Sequence, residues 1–204
     1  MILAAEALER LRAGNQRFVA GESTADSLAS SAKRRELVQG QDPFAIILGC
    51  ADSRVPAGQV FDQGLGDLFT IRVAGNIVAP SQIASIEYCA EQFKTQLVVV
   101  LGHTHCGAIQ ATLSELKLPP ADRSKNLHSI VDRIRPSVEK LLDTDLANNH
   151  DQLMDAAVRA NVRGGVAQLQ QQSEILKKAI TNGLEIIGAR YSLESGEVEF
   201  FDQN

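Results

Sequence analysis

Two short stretches of the sequence carry residue types that bind metals or move protons. "CADSRVP" (residues 50–56) and "GHTHCGA" (residues 102–108) contain Cys50, His103 and Cys106. Thiolates and an imidazole together are typical of zinc sites, and three protein ligands leave a fourth coordination position open for a reacting molecule. We therefore interpret these three residues as the ligands of a catalytic rather than a structural zinc ion.

The first stretch also places a carboxylate and a guanidinium at alternate positions after Cys50. In an extended backbone, residues i, i+2 and i+4 face the same side, so Asp52 and Arg54 can share a cleft with Cys50. Arg54 can then hold the Asp52 carboxylate in a bidentate pair and keep it ionised, ready to accept a hydrogen bond from the reacting water. Two alternatives are that Asp52 is itself a rival metal ligand, or that the pair is an ordinary strand-end salt bridge.

Other residues of the same types have simpler interpretations. His105 lies one step further from the preceding apolar run, which makes it a weaker candidate ligand than His103. Cys89 falls within a helical apolar pattern and is expected to pack in the core. His128 and His150 lie in polar surroundings, where we expect them to be solvated.

Short apolar runs rich in β-branched residues precede both stretches and predict strands buried in a parallel sheet. Functional groups collect just past the carboxyl ends of such strands. Cys50 follows the first run and His103 follows the third, so their side chains are expected to point to one place. The four runs are "FAIILG" (44–49), "LFTIRV" (68–73), "LVVVLG" (97–102) and "LEIIGARY" (184–191).

Helical patterns alternate with these runs and complete the fold class. Apolar side chains at helical spacing predict helices over residues 3–20, 81–93 and 165–180, and the first is expected to end at Gly21. "EVEFF" (197–201) follows a turn and is expected to return antiparallel to the preceding strand. The sequence therefore predicts an α/β fold with a mostly parallel central sheet flanked by helices, an antiparallel edge strand and an N-terminal helical arm.

The length of 204 residues fits one domain with an added arm. We divide the chain into an N-terminal helical arm and connection (residues 1–42) and a zinc-binding α/β catalytic domain (residues 43–204). The formal net charge of −5 and the absence of Trp give no reason to expect a nucleic acid partner. No long apolar run predicts a membrane span, and residues 1–14 lack a signal-peptide core, so we expect no membrane partner and a cytoplasmic location.

The pattern C-x-D-x-R, followed about fifty residues later by H-x-x-C, resembles the β-class carbonic anhydrases. The resemblance extends from about Gln41 to the last predicted strand. It implies the reversible hydration of carbon dioxide to bicarbonate and a proton, with one zinc ion per chain on the three ligands named above. It also implies that Asp52 and Arg54 form the catalytic pair.

The resemblance further implies where the substrate binds and how chains assemble. Matching positions suggest that Gln41, Phe69 and Tyr88 shape the carbon dioxide pocket at a dimer interface, and that Gly107 also contacts the substrate. The expected assembly is a homodimer or a dimer of dimers, in which the N-terminal helix lies over the partner subunit.

Other functions are compatible with some of the same residues. A hydrolase of carbon disulfide or carbonyl sulfide would use the same zinc ligands. A non-catalytic, zinc-stabilised binding domain would need a fourth protein ligand, and Cys89 is the only spare thiol. Nucleotide binding is disfavoured, because "GLGDLF" (64–69) breaks the G-x-G-x-x-G pattern at Phe69.

Overall fold

Five strands form one sheet in the computed structural model, which describes residues 2–24, 30–118 and 127–201. The strand order is β2-β1-β3-β4-β5; the first four strands run parallel, and β5 pairs antiparallel with β4, as predicted. The β-branched runs form the central strands because their side chains are buried on both faces. The strands are β1 (Ala45–Gly49), β2 (Leu68–Arg72), β3 (Leu97–His103), β4 (Glu185–Tyr191) and β5 (Val198–Phe200).

Helices cover both faces of this sheet. One face packs against α1 and α3, and the other packs against α4, α7 and α8. A third apolar cluster, formed by α5, α6 and the start of α7, lies beneath the chain segments that follow β1 and β3. The helices are α1 (Ala4–Ala20), α2 (Ser31–Glu36), α3 (Ala57–Val60), α4 (Pro80–Gln92), α5 (Gly107–Glu115), α6 (His128–Val138), α7 (His150–Gln172) and α8 (Glu174–Thr181).

The C-terminal helices differ from the sequence prediction. The single helix expected over residues 165–180 is two helices, α7 and α8, and α7 already begins at His150. The break falls at Ser173, whose Oγ accepts a hydrogen bond from the backbone N–H of Leu176 and so caps α8. A serine side chain that satisfies a free helical N–H favours a new helix start over continuation of the old one.

The N-terminal helix packs against the sheet of its own chain. Ala7 and Leu11 are fully buried in the core, and Asn15 donates hydrogen bonds to the carbonyls of Val60 and Gly196. The helix ends at Gly21, whose φ of 72° is the left-handed conformation expected of a helix-terminating glycine. Much of the apolar stripe of α1 is thus covered within the chain, although Val19 is 43% exposed. Its contact with a partner subunit stays a prediction, as does the division at residue 42.

Among the residues that the structure describes, no helix has both the length and the apolar character needed to cross a bilayer. The cytoplasmic location stays a prediction.

Candidate metal centre

The metal-ligand candidates lie where the sheet changes direction. The chain leaves β1 for β2 on one side and then crosses to β3 on the other, so the carboxyl ends of β1 and β3 are adjacent. Ligands bind at such a switch point in open α/β sheets. Cys50 directly follows β1, His103 is the last residue of β3, and Cys106 immediately precedes α5.

The structure brings these three side chains together, as the sequence predicted. All three are buried, and their ligand atoms lie within 4.8 Å of one another. The Sγ atoms of Cys50 and Cys106 are 4.0 Å apart. Two sulfurs on one tetrahedral zinc ion, each at about 2.3 Å from the metal, would be about 3.8 Å apart, so the spacing fits zinc.

The histidine is oriented as a ligand. The Nδ1 atom of His103 lies 2.8 Å from the carbonyl oxygen of Thr104, to which it donates as Nδ1–H. This hydrogen bond selects the tautomer whose Nε2 carries a free lone pair. The Nε2 atom is buried and has no hydrogen-bond partner among the described residues. A buried, unpaired acceptor beside two sulfurs is the arrangement that a metal ion would satisfy.

The two cysteines affect each other's protonation. The hydrogen bond from the Cys106 thiol, helped by His103 and by the backbone N–H groups of Asp52 and Gly75, lowers the pKa of Cys50 to about 4 against the effect of burial. The neighbouring Cys50 sulfur and burial raise the pKa of Cys106. One sulfur therefore ionises readily while the second resists, because two negative charges would be close together. A cation between them removes that resistance.

Asp52 and Arg54 form the expected pair beside this group. The Arg54 Nε and Nη2 atoms donate to the two carboxylate oxygens of Asp52 at 2.9 and 2.8 Å. These hydrogen bonds hold the pKa of Asp52 well below its usual range. The point between the ligand atoms of Cys50, His103 and Cys106, where a metal ion would bind, is called here the metal position. The Asp52 Oδ2 atom lies 3.9 Å from the Nε2 atom of His103, so the ionised carboxylate borders this position.

The backbone that joins the pair is not extended, in contrast to the sequence argument. A turn closes at residues 52–55, where the N–H of Val55 donates to the Asp52 carbonyl. The N–H of Arg54 also donates to Asp52 Oδ1 at 3.0 Å, and this local bond favours a turn over a strand. The turn, rather than alternation along a strand, therefore brings Arg54 onto Asp52.

The segment that carries Cys50, Asp52 and Arg54 is called here the first ligand loop (residues 50–55). A side chain at the end of the edge strand β2 donates hydrogen bonds to the backbone of this loop. Arg72, the last residue of β2, donates from Nε to the Cys50 carbonyl at 3.0 Å and from Nη2 to the Asp52 carbonyl at 2.6 Å. These contacts could not be predicted from the sequence, because an arginine at a strand end has many possible partners.

The segment that carries His103 and Cys106 is called the second ligand loop (residues 103–106). The end of β4 and the turn that follows it hold this loop: the Thr104 N–H donates to the carbonyl of Tyr191, the last residue of β4, and the Thr104 hydroxyl donates to Glu194 in the turn. The side chain of His105 points to the same Glu194 carboxylate, at 2.5 Å, and not to the metal position. Sequence reasoning missed Glu194, which lies about ninety residues from its partners and within no motif.

The remaining polar candidates lie elsewhere. Cys89 is fully buried in the core as expected; its Sγ lies 3.6 Å from the Thr95 hydroxyl, and burial raises its pKa to about 11. His128 is half exposed and pairs with Asp132, and His150 is exposed at the start of α7.

The expected substrate-pocket residues fall into two groups. Gly107 is exposed and directly follows Cys106. Phe69 and Tyr88 contact each other, with ring centroids 6.3 Å apart, and Gln41 precedes β1. Phe69 is in register with Ile46, four residues before Cys50, which places it about 13 Å along the strand from the metal position. A single chain therefore does not bring these three residues to its own metal position.

Comparison with known proteins defines the class. The family model described as "Carbonic anhydrase" matches residues 45–198. A carbonic anhydrase of Mycolicibacterium smegmatis is 39% identical over 194 residues, covering 95% of this chain and 91% of that protein. Carbonic anhydrase 2 of Mycobacterium tuberculosis is 38% identical over 202 residues, covering 96% and 92%.

Solved structures agree with this result. The structure of the β-carbonic anhydrase CcaA matches with a TM-score of 0.75 and 28% identity, over 96% of this chain and 95% of that one. The β-carbonic anhydrase CafA of Aspergillus fumigatus matches with a TM-score of 0.71 and 29% identity, over 84% and 83%. The chain belongs to the β-class carbonic anhydrase family, whose reaction is the reversible hydration of carbon dioxide to bicarbonate.

Proposed function

We propose that Cys50, His103 and Cys106 hold one zinc ion per chain, and that Asp52 and Arg54 act on the water that attacks carbon dioxide. The convergence of three buried ligand atoms within 4.8 Å of one another supports this assignment. Zinc prefers thiolate sulfur and imidazole nitrogen as ligands, and these residues offer two sulfurs and one such nitrogen. The negative charge of the cysteine pair also favours a cation.

The bound ion supplies the Lewis acidity that makes water a nucleophile near neutral pH. Two thiolates and one imidazole would donate more charge to the ion than three imidazoles, so an ion held by these residues would be a weaker Lewis acid than one in a three-histidine site. The protein's own contribution is to exclude water from the ligands, because all three are buried. It also places an ionised carboxylate beside them.

Asp52 acts as a hydrogen-bond acceptor for the attacking water. Arg54 keeps the carboxylate ionised and fixes both oxygens, so Asp52 cannot rotate freely. A carboxylate held in this way accepts one O–H and leaves the lone pair of the water directed at carbon dioxide. Arg54 also donates to the His105 carbonyl at 3.3 Å, which joins the first ligand loop to the second.

Two buried cysteines allow a matched test of the ligand set. Cys50→Ser removes a proposed ligand, whereas Cys89→Ser changes an equally buried thiol outside the group. We expect Cys50→Ser to lose most of its zinc by metal analysis, with carbon dioxide hydration in stopped flow falling to background. We expect Cys89→Ser to retain one zinc per chain and normal turnover. Full zinc content in Cys50→Ser would contradict the assignment.

We further propose that the substrate pocket is completed by a second copy of the chain. Tyr88 is 54% exposed on α4, and Phe69 of the edge strand β2 contacts it on the α4 face of the sheet, away from their own metal position. A twofold arrangement of two chains can place this pair, and Gln41, beside the metal position of the partner. Gly107 would border the same pocket from the chain that holds the metal. The smallest active unit is then a dimer.

Mixing two defective variants tests the shared pocket. Cys50→Ser lacks a metal site but keeps the pocket residues, and Phe69→Ala keeps the metal site but alters the pocket. If the pocket is shared, each hybrid dimer contains one complete site out of two. About half of the dimers in a random equal mixture are hybrids, so mixing should restore about a quarter of the wild-type activity. If each chain forms its own pocket, activity after subunit exchange will not exceed the average of the two separate variants.

A further inference from the structure

Helix α7 carries a buried polar side chain, Asn161, that contacts the turn beside the proposed metal ligand Cys50. Asn161 is 5% exposed, and its Nδ2 donates to the carbonyl of Gly75 at 2.9 Å, across 86 residues of sequence. Its neighbours in α7, Ala157, Val158 and Val162, are apolar and buried. A buried amide costs free energy unless its hydrogen bonds are made, so this position serves the contact with Gly75 rather than general packing.

The turn at Gly75 is tightly enclosed. Gly75 has a φ of 69°, and a Cβ atom there would lie 2.8 Å from the Ile134 side chain and 3.1 Å from Ala108. A side chain at this position would be strained by the positive φ and would have to displace Ile134. The packing of α5 and α6 against Gly75 therefore limits the movement of its α-carbon. The orientation of the two peptide groups that flank Gly75 depends on their own hydrogen bonds.

One of those peptide groups reaches the proposed metal ligand. The N–H of Gly75 donates to the Sγ atom of Cys50 at 3.3 Å, while the carbonyl of Gly75 accepts from Asn161. The two groups share one α-carbon, so holding the carbonyl limits rotation of the N–H away from the sulfur. Asn161, Gly75 and Cys50 thus form one chain of contacts from the middle of α7 to the metal position.

We infer that Asn161 is a positioning residue that, by holding the Gly75 carbonyl, directs the Gly75 N–H at the Cys50 sulfur and tunes that sulfur as a metal ligand. This inference rests on the proposed role of Cys50. An N–H donor withdraws electron density from a thiolate, so the sulfur donates less charge to the metal. In a site with two thiolates, this contact offsets part of the charge that would otherwise weaken the Lewis acidity of the metal.

The simpler alternative is that Asn161 only satisfies a buried carbonyl and stabilises the fold. Asn15 provides the matched control. It is 6% exposed, and its side chain bonds the carbonyls of Val60 and Gly196 and accepts from the N–H of Val198, with no contact to the ligand loops. Asn15→Ala and Asn161→Ala both remove a buried amide, so a purely structural role would affect thermal stability in both and the metal in neither.

The test compares metal properties with stability in the full-length protein. The variants are Asn161→Ala, the milder Asn161→Ser, in which a hydroxyl keeps some polarity, and Asn15→Ala. We expect both Asn161 variants to show a zinc dissociation constant raised about 10- to 100-fold in competition with a chelator, because the Cys50 sulfur is no longer held in place as a ligand and this loss outweighs the stronger charge donation of a sulfur without the N–H. We also expect a shifted thiolate-to-metal charge-transfer band after substitution with cobalt(II). Asn15→Ala should lower the melting temperature and leave both metal properties at their wild-type values.

The possible results separate this inference from the proposed ligand set. If the Asn161 variants melt earlier but keep the wild-type band and zinc affinity, Asn161 is structural and the inference is wrong. Should Asn161→Ala fail to fold, the same readouts on Asn161→Ser decide the question. A wild-type protein without any thiolate-to-cobalt band would instead contradict the ligation by Cys50 and Cys106, and the inference with it.

Discussion

The two ligand loops lie side by side at the end of the sheet, yet they are held in different ways. The first ligand loop is held through its backbone and its sulfur, by Arg72 and by the peptide of Gly75. The second ligand loop is held by exposed hydrogen bonds to Glu194, which lies in the turn between β4 and β5. Side chains of the second loop, Thr104 and His105, make these surface contacts.

The difference indicates where the site is sensitive to change. Behind the first loop the contacts of Gly75 with Cys50 and with Asn161 are buried, and Asn161 is 5% exposed, so a lost partner there leaves a polar group without water. Around the second loop, the His105 and Glu194 side chains are 67% and 56% exposed, and water can replace a lost contact. We therefore expect substitutions in and behind the first loop to change the chemistry more than those around the second.

The largest effect on turnover with the metal retained is expected at Asp52. Asp52→Asn keeps the shape of the side chain but removes the charge that accepts a hydrogen bond from the attacking water. We predict near-normal zinc content and carbon dioxide hydration slowed about 10²-fold or more, on the scale usual for such groups. Stopped-flow hydration together with metal analysis of the same sample measures both quantities.

An exposed aspartate supplies the control for that substitution. Asp132 also has a lowered pKa, caused by its hydrogen bond with His128, but it lies on α6 and contacts neither ligand loop. Asp132→Asn should hydrate carbon dioxide at the wild-type rate. If Asp52→Asn did the same, the pair with Arg54 would be an ordinary salt bridge, which is the alternative that the sequence left open.

The contrast between the loops also explains what the sequence could predict. The strands β1 and β3 were predictable because their β-branched runs have few other stable environments. Cys50 was predictable because it immediately follows β1, His103 because it ends β3, and Cys106 because it comes three residues later, directly before α5. The contact of Asn161 was not, because its partner lies 86 residues away and a helical asparagine carries no signal of what it faces.

Local hydrogen bonds account for the other differences. The first ligand loop turns at residues 52–55 because the Asp52 side chain accepts from the Arg54 N–H, a competition that a pattern of alternating residues does not show. The break between α7 and α8 has the same origin, in the side chain of Ser173. In both cases a short polar side chain bonds nearby backbone and overrides the periodicity of the surrounding sequence.

The smallest effect is expected at Glu194, the centre of the surface contacts. Glu194→Gln keeps the size of the side chain and removes its charge. Because the partners are exposed, we predict a change in hydration rate of less than about fivefold, with zinc content unchanged. A loss of turnover comparable to that of Asp52→Asn would show that the second loop depends on its surface contacts as strongly as the first depends on its buried ones.

The pH dependence of the same variant sharpens the comparison. Hydrogen bonds from Thr104, with smaller contributions from His105 and Ser192, lower the pKa of Glu194 from 4.5 to about 2. A carboxylate with a lowered pKa in the folded state contributes stability that is fully present above its unfolded pKa and is lost as the pH falls through the folded value. The difference in unfolding free energy between wild type and Glu194→Gln should therefore be largest above about pH 5 and shrink between pH 4.5 and 2. A difference that stayed constant across this window, in denaturant unfolding at each pH, would mean that the charge of Glu194 does not hold the second loop.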